Sequence, residues 1–238
     1  MVAAFILFAT WIVLGIPAAL VGLPLTIFTG DISRMYGWAM AIIRVGLRLS
    51  GIRVQPEWRI PLDRSQTYIF LSNHVSNLDP PVLFPLLPGR AAAFLKRSLM
   101  NIPILGYGMR LGDFIPVDRD GRVESAVESV DTAARVLASG VHVLSFVEGT
   151  RSRTGRLQPF KKGPFFLAMS TGASVIPVSI SGTEAMMRKG SLKIFPGRAC
   201  VIFHPPLHPR DFASREDLMA AARVAIASGL PEWMRTTE

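Results

Sequence analysis

The spacing of apolar and polar positions changes several times along the 238-residue chain, and it predicts helices and strands. Short apolar runs rich in β-branched and aromatic residues predict strands at 67–71, 91–95, 114–117, 141–147, 174–180 and 199–204. Between them, apolar positions that recur every three or four residues predict helices at 121–139, 163–171 and 211–228. Strands that alternate with helices predict an α/β fold, with a central and mostly parallel sheet flanked by helices.

The first 30 residues follow neither pattern, because they are largely apolar and contain no charged residue. A stretch of this length can span a bilayer, for which about 20 residues are enough. It lacks the positive n-region that a secretory signal would have. Pro17 and Pro24 interrupt the stretch, and proline inside a helix favours a bent or hairpin insertion over a straight span.

The next segment, residues 32–49, predicts an interfacial helix. Its arginines, Arg34, Arg44 and Arg48, fall on one side, and Trp38, Ile42, Val45 and Leu49 fall on the other. If residues 1–30 span the membrane, these arginines place the rest of the chain on the cytoplasmic side. We therefore expect a membrane-associated helical segment at 1–50 and an α/β domain at 51–238, on the cytoplasmic face of the cell membrane. The alternative is an apolar helix pair that packs on its own domain.

Composition and charge restrict the classes of partner. The single cysteine, Cys200, excludes a disulfide framework and a cysteine zinc site, and no metal or cofactor is expected. The net charge is +9, and residues 149–210 hold ten lysines and arginines against one acid, Glu184. Such a field attracts phosphates, anionic lipid or an acidic carrier protein. Nucleic acid is not expected as a partner, because the chain has no helix-turn-helix, zinc-finger or RNA-binding signature.

The candidate chemistry begins with His74 and Asp79 in the string Ser72-Asn73-His74-Val75-Ser76-Asn77-Leu78-Asp79-Pro80. A neutral imidazole can remove a proton from an attacking hydroxyl, and a carboxylate can fix its tautomer and stabilise the imidazolium. Residues five apart lie about 140° from each other on a regular helix, so the pair cannot form there. The string therefore predicts a loop that folds back at a helix start, with Ser76 or Asp79 as N-cap. The other histidines, His142, His204 and His208, are interpreted as structural.

A second string, Glu148-Gly149-Thr150-Arg151-Ser152, follows the strand predicted at 141–147. The planar guanidinium of Arg151 suits phosphate oxygens, and Glu148 could accept from a glycerol hydroxyl or hold Arg151 in place. The alternative for Glu148 is a salt bridge at a strand end. Both strings fall at strand exits, which are common places for chemistry in α/β proteins.

Two further strings complete the candidate site. A predicted strand delivers Arg119 to its end in Gly112-Asp113-Phe114-Ile115-Pro116-Val117-Asp118-Arg119. Another strand, Val175-Ile176-Pro177-Val178-Ser179, contains a proline, which predicts an edge position or a bulge. No G-x-S-x-G elbow, phosphate-binding Walker loop or H-E-x-x-H string is present, so the attacking hydroxyl is assigned to the substrate.

These four ordered strings resemble the blocks of the glycerolipid acyltransferases, and the length and layout are similar to the 1-acyl-glycerol-3-phosphate acyltransferases, which make phosphatidic acid. The resemblance covers roughly residues 50–205. It implies that His74 is the base and Asp79 its partner, and that Pro177 belongs to the fourth block. It further implies a glycerol-phosphate site formed by Arg119, Glu148, Gly149, Thr150 and Arg151.

The resemblance also implies the reaction and its partners: acyl transfer from acyl-coenzyme A (acyl-CoA) or acyl carrier protein (acyl-ACP) to the free hydroxyl of a lysophospholipid acceptor at a lipid bilayer. Alternatives remain open at this point. The acceptor could be a lyso-ornithine lipid or another lysophospholipid, the reaction could be a thioesterase-like hydrolysis, or the chain could be a non-catalytic lipid-binding protein.

Overall fold

The computed structural model describes residues 2–102, 105–118, 123–188 and 190–235, without the side chains of residues 105 and 123. In these ranges the α-helices are α1 Val2–Thr29, α2 Ser33–Leu49, α3 Asp79–Leu83, α4 Leu105–Leu111, α5 Val123–Ala138, α6 Gly163–Thr171, α7 Thr183–Met186, α8 Arg215–Ser228 and α9 Glu232–Arg235. The strands are β1 Ile52–Trp58, β2 Ile69–Ser72, β3 Ala91–Lys96, β4 Ile115–Val117, β5 His142–Phe146, β6 Val175–Ser181 and β7 Gly197–Phe203. Short 3₁₀ helices lie at Phe84–Leu86, Arg97–Asn101 and Pro209–Asp211.

The strands form a seven-stranded sheet in the order β1-β7-β6-β2-β5-β3-β4. The pairs β2–β5, β2–β6, β3–β5 and β3–β4 are parallel. β2 is buried at every position, as a continuous apolar run covered on both faces should be. The predicted α/β fold with a mostly parallel sheet is therefore confirmed.

Contacts between Cα atoms divide the chain into two compact units. Unit 1 consists of residues 1–56, 75–87 and 180–201, and it contains α1, α2, α3 and α7. Unit 2 consists of residues 57–74, 88–179 and 202–238, and it contains β2 to β5 and α4, α5, α6, α8 and α9. The expected division at residue 50, between a helical segment and an α/β domain, stays a prediction.

The predicted strands are confirmed to within two residues at each end, but β1 was not predicted. β1 carries polar residues and Pro56 in the run Ile52-Arg53-Val54-Gln55-Pro56-Glu57-Trp58, and it lies at the edge of the sheet, where proline is tolerated. The helix predicted at 211–228 begins at Arg215, because the Ser214 side chain caps it by accepting from the Asp217 backbone N–H at 3.1 Å.

The edge position considered for the strand of Pro177 is wrong, because β6 lies between β7 and β2. Leu71 of β2 is the register partner of Pro177, and the Pro177 carbonyl accepts from the His204 backbone N–H at 2.9 Å. Proline lacks the N–H that would point toward this same segment. The facing residues after His204 are Pro205 and Pro206, so the ladder is already sparse there.

α1 is one continuous helix of 28 residues, although Pro17 and Pro24 lie inside it, so the hairpin considered for this segment is wrong and the bend stays a prediction. It packs against α2 as an antiparallel pair: Gly22 faces Met35, and Gly46 faces Trp11. By length and composition α1 could cross a membrane, and only 6% of its most apolar stretch is buried. The apolar surface of such a helix is available to a lipid phase and is not packed into the protein core.

Candidate active site

His74 and Glu148 come together because they follow neighbouring parallel strands of unit 2. Ser72, the last residue of β2, is in register with Phe146, the last residue of β5. Each of the two functional residues lies two positions beyond its strand. The carboxyl ends of parallel strands meet at one edge of a sheet, which is where α/β proteins place their chemistry.

Two backbone hydrogen bonds and one ring contact position His74. Its backbone N–H donates to Glu148 Oε1 at 3.2 Å, and its carbonyl accepts from the Ser152 N–H at 2.8 Å. Its imidazole stacks on the Phe146 ring, with ring centroids 3.9 Å apart and planes 20° apart. The half-buried imidazole therefore has a fixed plane on a fixed backbone, as a general base requires.

Glu148 is a buried carboxylate that joins separate parts of unit 2. Oε1 accepts from the His74 backbone, and Oε2 accepts from Gln158 Nε2 at 2.9 Å. Only 2% of the residue is exposed, so it is not an exposed salt bridge at a strand end. Replacing the Glu148 side chain would leave its buried hydrogen-bond donors unsatisfied, so the substitution would be costly.

The chain turns sharply after Glu148 and presents the next residues toward solvent. Gly149 has φ +69°, a left-handed conformation that side chains other than glycine rarely adopt, and its N–H donates to the Phe146 carbonyl at 2.9 Å. Thr150 is exposed and Arg151 is half-buried. The turn therefore delivers the Arg151 guanidinium from the same strand exit that carries Glu148.

Asp79 belongs to unit 1, where it is fully buried at the start of α3. Its Oδ2 accepts from the backbone N–H groups of Val75 and Ser76, at 2.7 and 2.8 Å. Its Oδ1 accepts from the Thr183 hydroxyl at 2.5 Å. These donors hold the buried carboxyl group in one orientation, as expected of a buried polar group in a native structure.

The predicted N-cap is wrong: Leu78 precedes the first helical residue and makes no side-chain cap. Asp79 is the first residue of α3, and its carboxylate points back to the loop instead of capping the helix. Ser76 donates through its hydroxyl to the Met187 carbonyl at 2.8 Å and accepts from the Leu78 N–H at 3.2 Å. The two prolines that follow Asp79 lack an N–H to cap, which leaves the side chains of Ser76 and Asp79 available for other bonds.

Glu184, directly after Thr183, adds a second acid to this part of unit 1. Its Oε2 is buried and has no hydrogen-bond partner among the described residues. Burial raises the pKa of the Glu184 carboxyl, and the negative charge of Asp79 adds to the increase. Burial beside a second acid therefore disfavours the charged form of Glu184.

The remaining predicted residues fall into three groups. Pro177 lies in β6, buried beside β2. Arg119 lies outside the described residues. The histidines interpreted as structural make internal contacts: the Tyr68 N–H donates to His142 Nδ1 at 3.0 Å, His204 Nε2 is 2.8 Å from Ser179 Oγ, and His208 Nδ1 is 2.8 Å from Ser174 Oγ.

Sequence reasoning missed three residues that shape the site: Thr183, Gln158 and Phe146. Thr183 follows Gly182 at the end of β6, so it occupies the same kind of strand exit as His74 and Glu148. That position was the available signal. Gln158 and Phe146 carry no sequence signal, because their roles depend on how the loop after β5 returns. Among the described residues, no group of three His, Cys, Asp or Glu side chains could hold a metal ion.

Comparison with known proteins identifies the family. The acyltransferase family model matches residues 51–181, and the chain belongs to this family. It is 37% identical over 166 residues to the chloroplastic 1-acyl-sn-glycerol-3-phosphate acyltransferase LPAT1 of Arabidopsis thaliana, covering 68% of this chain and 44% of the relative. It is 32% identical over 174 residues to 1-acyl-sn-glycerol-3-phosphate acyltransferase alpha of Bos taurus, covering 73% and 60%.

A solved structure extends the likeness to the whole chain. The crystal structure of the 1-acyl-sn-glycerophosphate acyltransferase PlsC from Thermotoga maritima matches with a TM-score of 0.78 at 25% identity, covering 100% of this chain and 97% of that chain. By contrast, the chain spans about half the length of the plant relatives that it matches. The predicted family resemblance is confirmed.

Proposed function

We propose that the protein transfers an acyl chain from acyl-CoA or acyl-ACP to the free hydroxyl of 1-acyl-sn-glycerol-3-phosphate, giving phosphatidic acid for phospholipid biosynthesis. The observation that carries the proposal is the pair of strand exits that join the His74 backbone to Glu148 in a chain of the acyltransferase family. The names of the relatives, all 1-acylglycerol-phosphate acyltransferases, support the choice of acceptor.

His74 is the general base in this mechanism. An imidazole nitrogen accepts the proton of the acceptor hydroxyl as its oxygen attacks the carbonyl carbon of the thioester. The tetrahedral intermediate collapses, the C–S bond breaks, and the leaving thiolate takes the proton from the imidazolium. The products are an ester and a free thiol, and no metal or cofactor takes part. General-base assistance of this kind contributes about 10²–10⁴-fold to a rate.

Asp79 is the partner carboxylate, five residues along the chain from the base. Hydrogen bonds to its oxygens hold the carboxyl group in one orientation, and a carboxylate beside the base stabilises the imidazolium. Both residues come from a single short string, so a few backbone torsions decide whether the pair forms. The bonds that fix Val75 and Ser76 act on those torsions.

The acceptor phosphate is assigned to Arg151, with Arg119 as a second contact and Gly149 and Thr150 lining the turn. A guanidinium offers parallel N–H donors to two oxygens of one phosphate. Glu148 already holds two donors from the protein, which supports a positioning role beside any contact to the glycerol. Pro177 shapes the neighbouring strand.

The membrane supplies the acceptor, and α1 is proposed to anchor the protein there on the cytoplasmic face. Burying each CH₂ of an acyl chain is worth about 0.8 kcal/mol, so a lysophospholipid stays in the bilayer during the reaction. The exposed apolar surface of α1 and the arginines of α2 support this location.

The test is mass-spectrometric detection of phosphatidic acid from lysophosphatidic acid with acyl-CoA and, separately, acyl-ACP. We expect His74→Ala to lower the transfer rate by about 10²-fold or more because the base is lost. The thermal unfolding temperature should change little. His208→Ala, at a histidine bonded to Ser174, is the matched control. Near wild-type turnover by His74→Ala would show that the base assignment is wrong.

The same assay separates the competing functions. Lyso-ornithine lipid and lysophosphatidylcholine, supplied in place of lysophosphatidic acid, report the acceptor class. Release of fatty acid without any acceptor would indicate a thioesterase-like hydrolase. Lipid binding with no product from any donor would indicate a non-catalytic lipid-binding protein.

A further inference from the structure

A segment of unit 1, which follows α7 and ends at the first two residues of β7, is rich in cations. Residues 188–198, here called the basic loop, read Arg-Lys-Gly-Ser-Leu-Lys-Ile-Phe-Pro-Gly-Arg. They contain four cations and no acid. Leu192 and Phe195 stand between these cations, and neither residue belongs to the proposed catalytic machinery. The basic loop therefore combines a strong positive charge with two large apolar side chains.

The apolar side chains of the basic loop point outward. Leu192 is 76% exposed and Phe195 is 54% exposed, whereas Ile194 between them is 1% exposed. Lys193 is also exposed. The buried Ile194 fixes the loop to the protein, so the exposure of its neighbours follows from a definite backbone path.

Hydrogen bonds hold that backbone path. The Phe195 N–H donates to the Met186 carbonyl at 3.0 Å, the Ser191 N–H donates to the Arg188 carbonyl at 3.0 Å, and the Lys193 N–H donates to Ser191 Oγ at 3.0 Å. Leu192 and Phe195 are thus presented on a braced loop. Little conformational entropy would be lost if this loop entered another phase.

The basic loop lies beside the end of the amphipathic helix α2. The Gly197 N–H donates to the Gly51 carbonyl at 3.2 Å, and a Cβ built on Gly51 would come within 2.9 Å of Pro196 Cβ. Leu49, the last residue of α2, is 60% exposed. Unit 1 therefore brings the apolar end of α2 and the basic loop into one neighbourhood.

We propose that the basic loop is a second membrane contact, in which Leu192 and Phe195 enter the headgroup region of an anionic bilayer. Arg188, Lys193 and Arg198 contact the lipid phosphates. Apolar side chains interleaved with cations bind where acyl boundary and anionic headgroups meet. A protein partner is less suitable, because interface cores are depleted of lysine. The proposal relies on membrane association and is independent of acyl transfer.

The test uses the 238-residue chain reconstituted in vesicles, in a Cys200→Ser background that removes the single thiol of this sequence. Leu192→Cys is labelled with an environment-sensitive fluorophore, and the label is exposed to aqueous iodide or to lipids with a nitroxide near the headgroup. The matched control is Val224→Cys on α8, where the native residue is 70% exposed. We expect the label at position 192 to be several-fold less quenched by iodide than the control and to be quenched by the lipid nitroxide.

A charge-reversal variant tests the contribution of the anionic headgroups. Lys193→Glu with Arg198→Glu should abolish the difference in iodide protection between phosphatidylglycerol and phosphatidylcholine vesicles. Equal iodide quenching at positions 192 and 224 would overturn the proposal. Protection that persists in detergent without lipid and grows with protein concentration would also overturn it, because it would identify a contact between copies of the chain. Catalytic failure leaves this readout unchanged, so the two proposals fail separately.

Discussion

At the scale of single residues, the hydrogen bonds of Asp79 determine what the carboxylate can do. Two bonds come from backbone N–H groups within its own string, and the third comes from Thr183, 104 positions away in the sequence. The backbone donors survive most substitutions. The Thr183 hydroxyl is therefore a donor to Asp79 that a point substitution can remove cleanly.

We predict that Thr183→Val lowers kcat by roughly 10- to 100-fold, because a hydrogen bond to a charged group is worth about 1.5–3 kcal/mol. KM for the acceptor should change little, since Thr183 acts through its hydrogen bond to Asp79 in this mechanism. Steady-state kinetics and the pH dependence of kcat measure the effect. Thr183→Ser keeps the hydroxyl and should restore most of the rate. Equal losses in both variants would mean that packing, and not the hydroxyl, matters.

The sequence predicted some residues of the site and not others for a physical reason. Short strings whose residue types indicate their chemistry contain His74, Asp79, Glu148 and Arg151. Thr183 and Gln158 act only because distant segments meet, and hydroxyl and amide side chains are common everywhere. A single sequence does not contain the distances that would distinguish them from surface residues.

At the scale of elements, the pairing of α1 with α2 depends on small residues at the contact. A Cβ built on Gly46 would lie 2.4 Å from Trp11 Nε1 and 3.2 Å from Leu7 Cδ1. No real side chain tolerates such distances, so glycine is required for the helices to approach this closely. Periodicity alone predicted the α2 helix correctly but could not identify this contact.

We predict that Gly46→Leu separates the two helices, because overpacking at a tight contact costs about 1–3 kcal/mol. Faster proteolysis at the connection around Gly30, in detergent micelles, measures the separation. Gly37→Leu is the matched control on the same helix, since a Cβ there meets nothing within 4 Å. If both variants are cut at the wild-type rate, the glycine contact does not hold the pair.

The elements also show where sequence patterns mislead. Strands with continuous apolar runs were predicted well because both faces of a parallel sheet are buried. Pro17 and Pro24 suggested a hairpin, and Pro177 suggested an edge strand, that the structure does not have. At Pro177 the missing N–H faces a segment that itself contains prolines, which the pattern of one strand does not show.

At the scale of the whole molecule, buried histidines couple stability to pH. His204 is held between Arg59 Nη1, at 3.2 Å from its Nδ1, and Ser179 Oγ, at 2.8 Å from its Nε2. Burial first, and then the positive charge of Arg59, lower the pKa of His204 to about 4 from its ordinary 6.5. Burial also lowers the pKa of His142. The folded protein therefore excludes protons that the unfolded chain would bind.

We predict that the free energy of unfolding falls as the pH decreases from 6.5 toward 4, because only the unfolded state gains a proton on His204 in this window. The loss approaches roughly 3 kcal/mol at the lower end, at about 1.36 kcal/mol for each unit of pKa difference. Urea unfolding at pH 7 and at pH 4.5 measures it. His204→Gln should show a flatter dependence, with the share of His142 remaining. An equal slope in this variant would exclude His204 as the source.

The length of α1 has a consequence for any bilayer that the helix spans. Twenty-eight helical residues extend about 42 Å, and the hydrocarbon layer of a typical bilayer is about 30 Å thick. Because α1 carries no charged residue, no charge marks the position where the helix would leave the hydrocarbon layer. If α1 spans the bilayer, hydrophobic mismatch of this size would be relieved by tilting of the helix or by local thickening of the bilayer, so lipid chain length should affect how α1 sits.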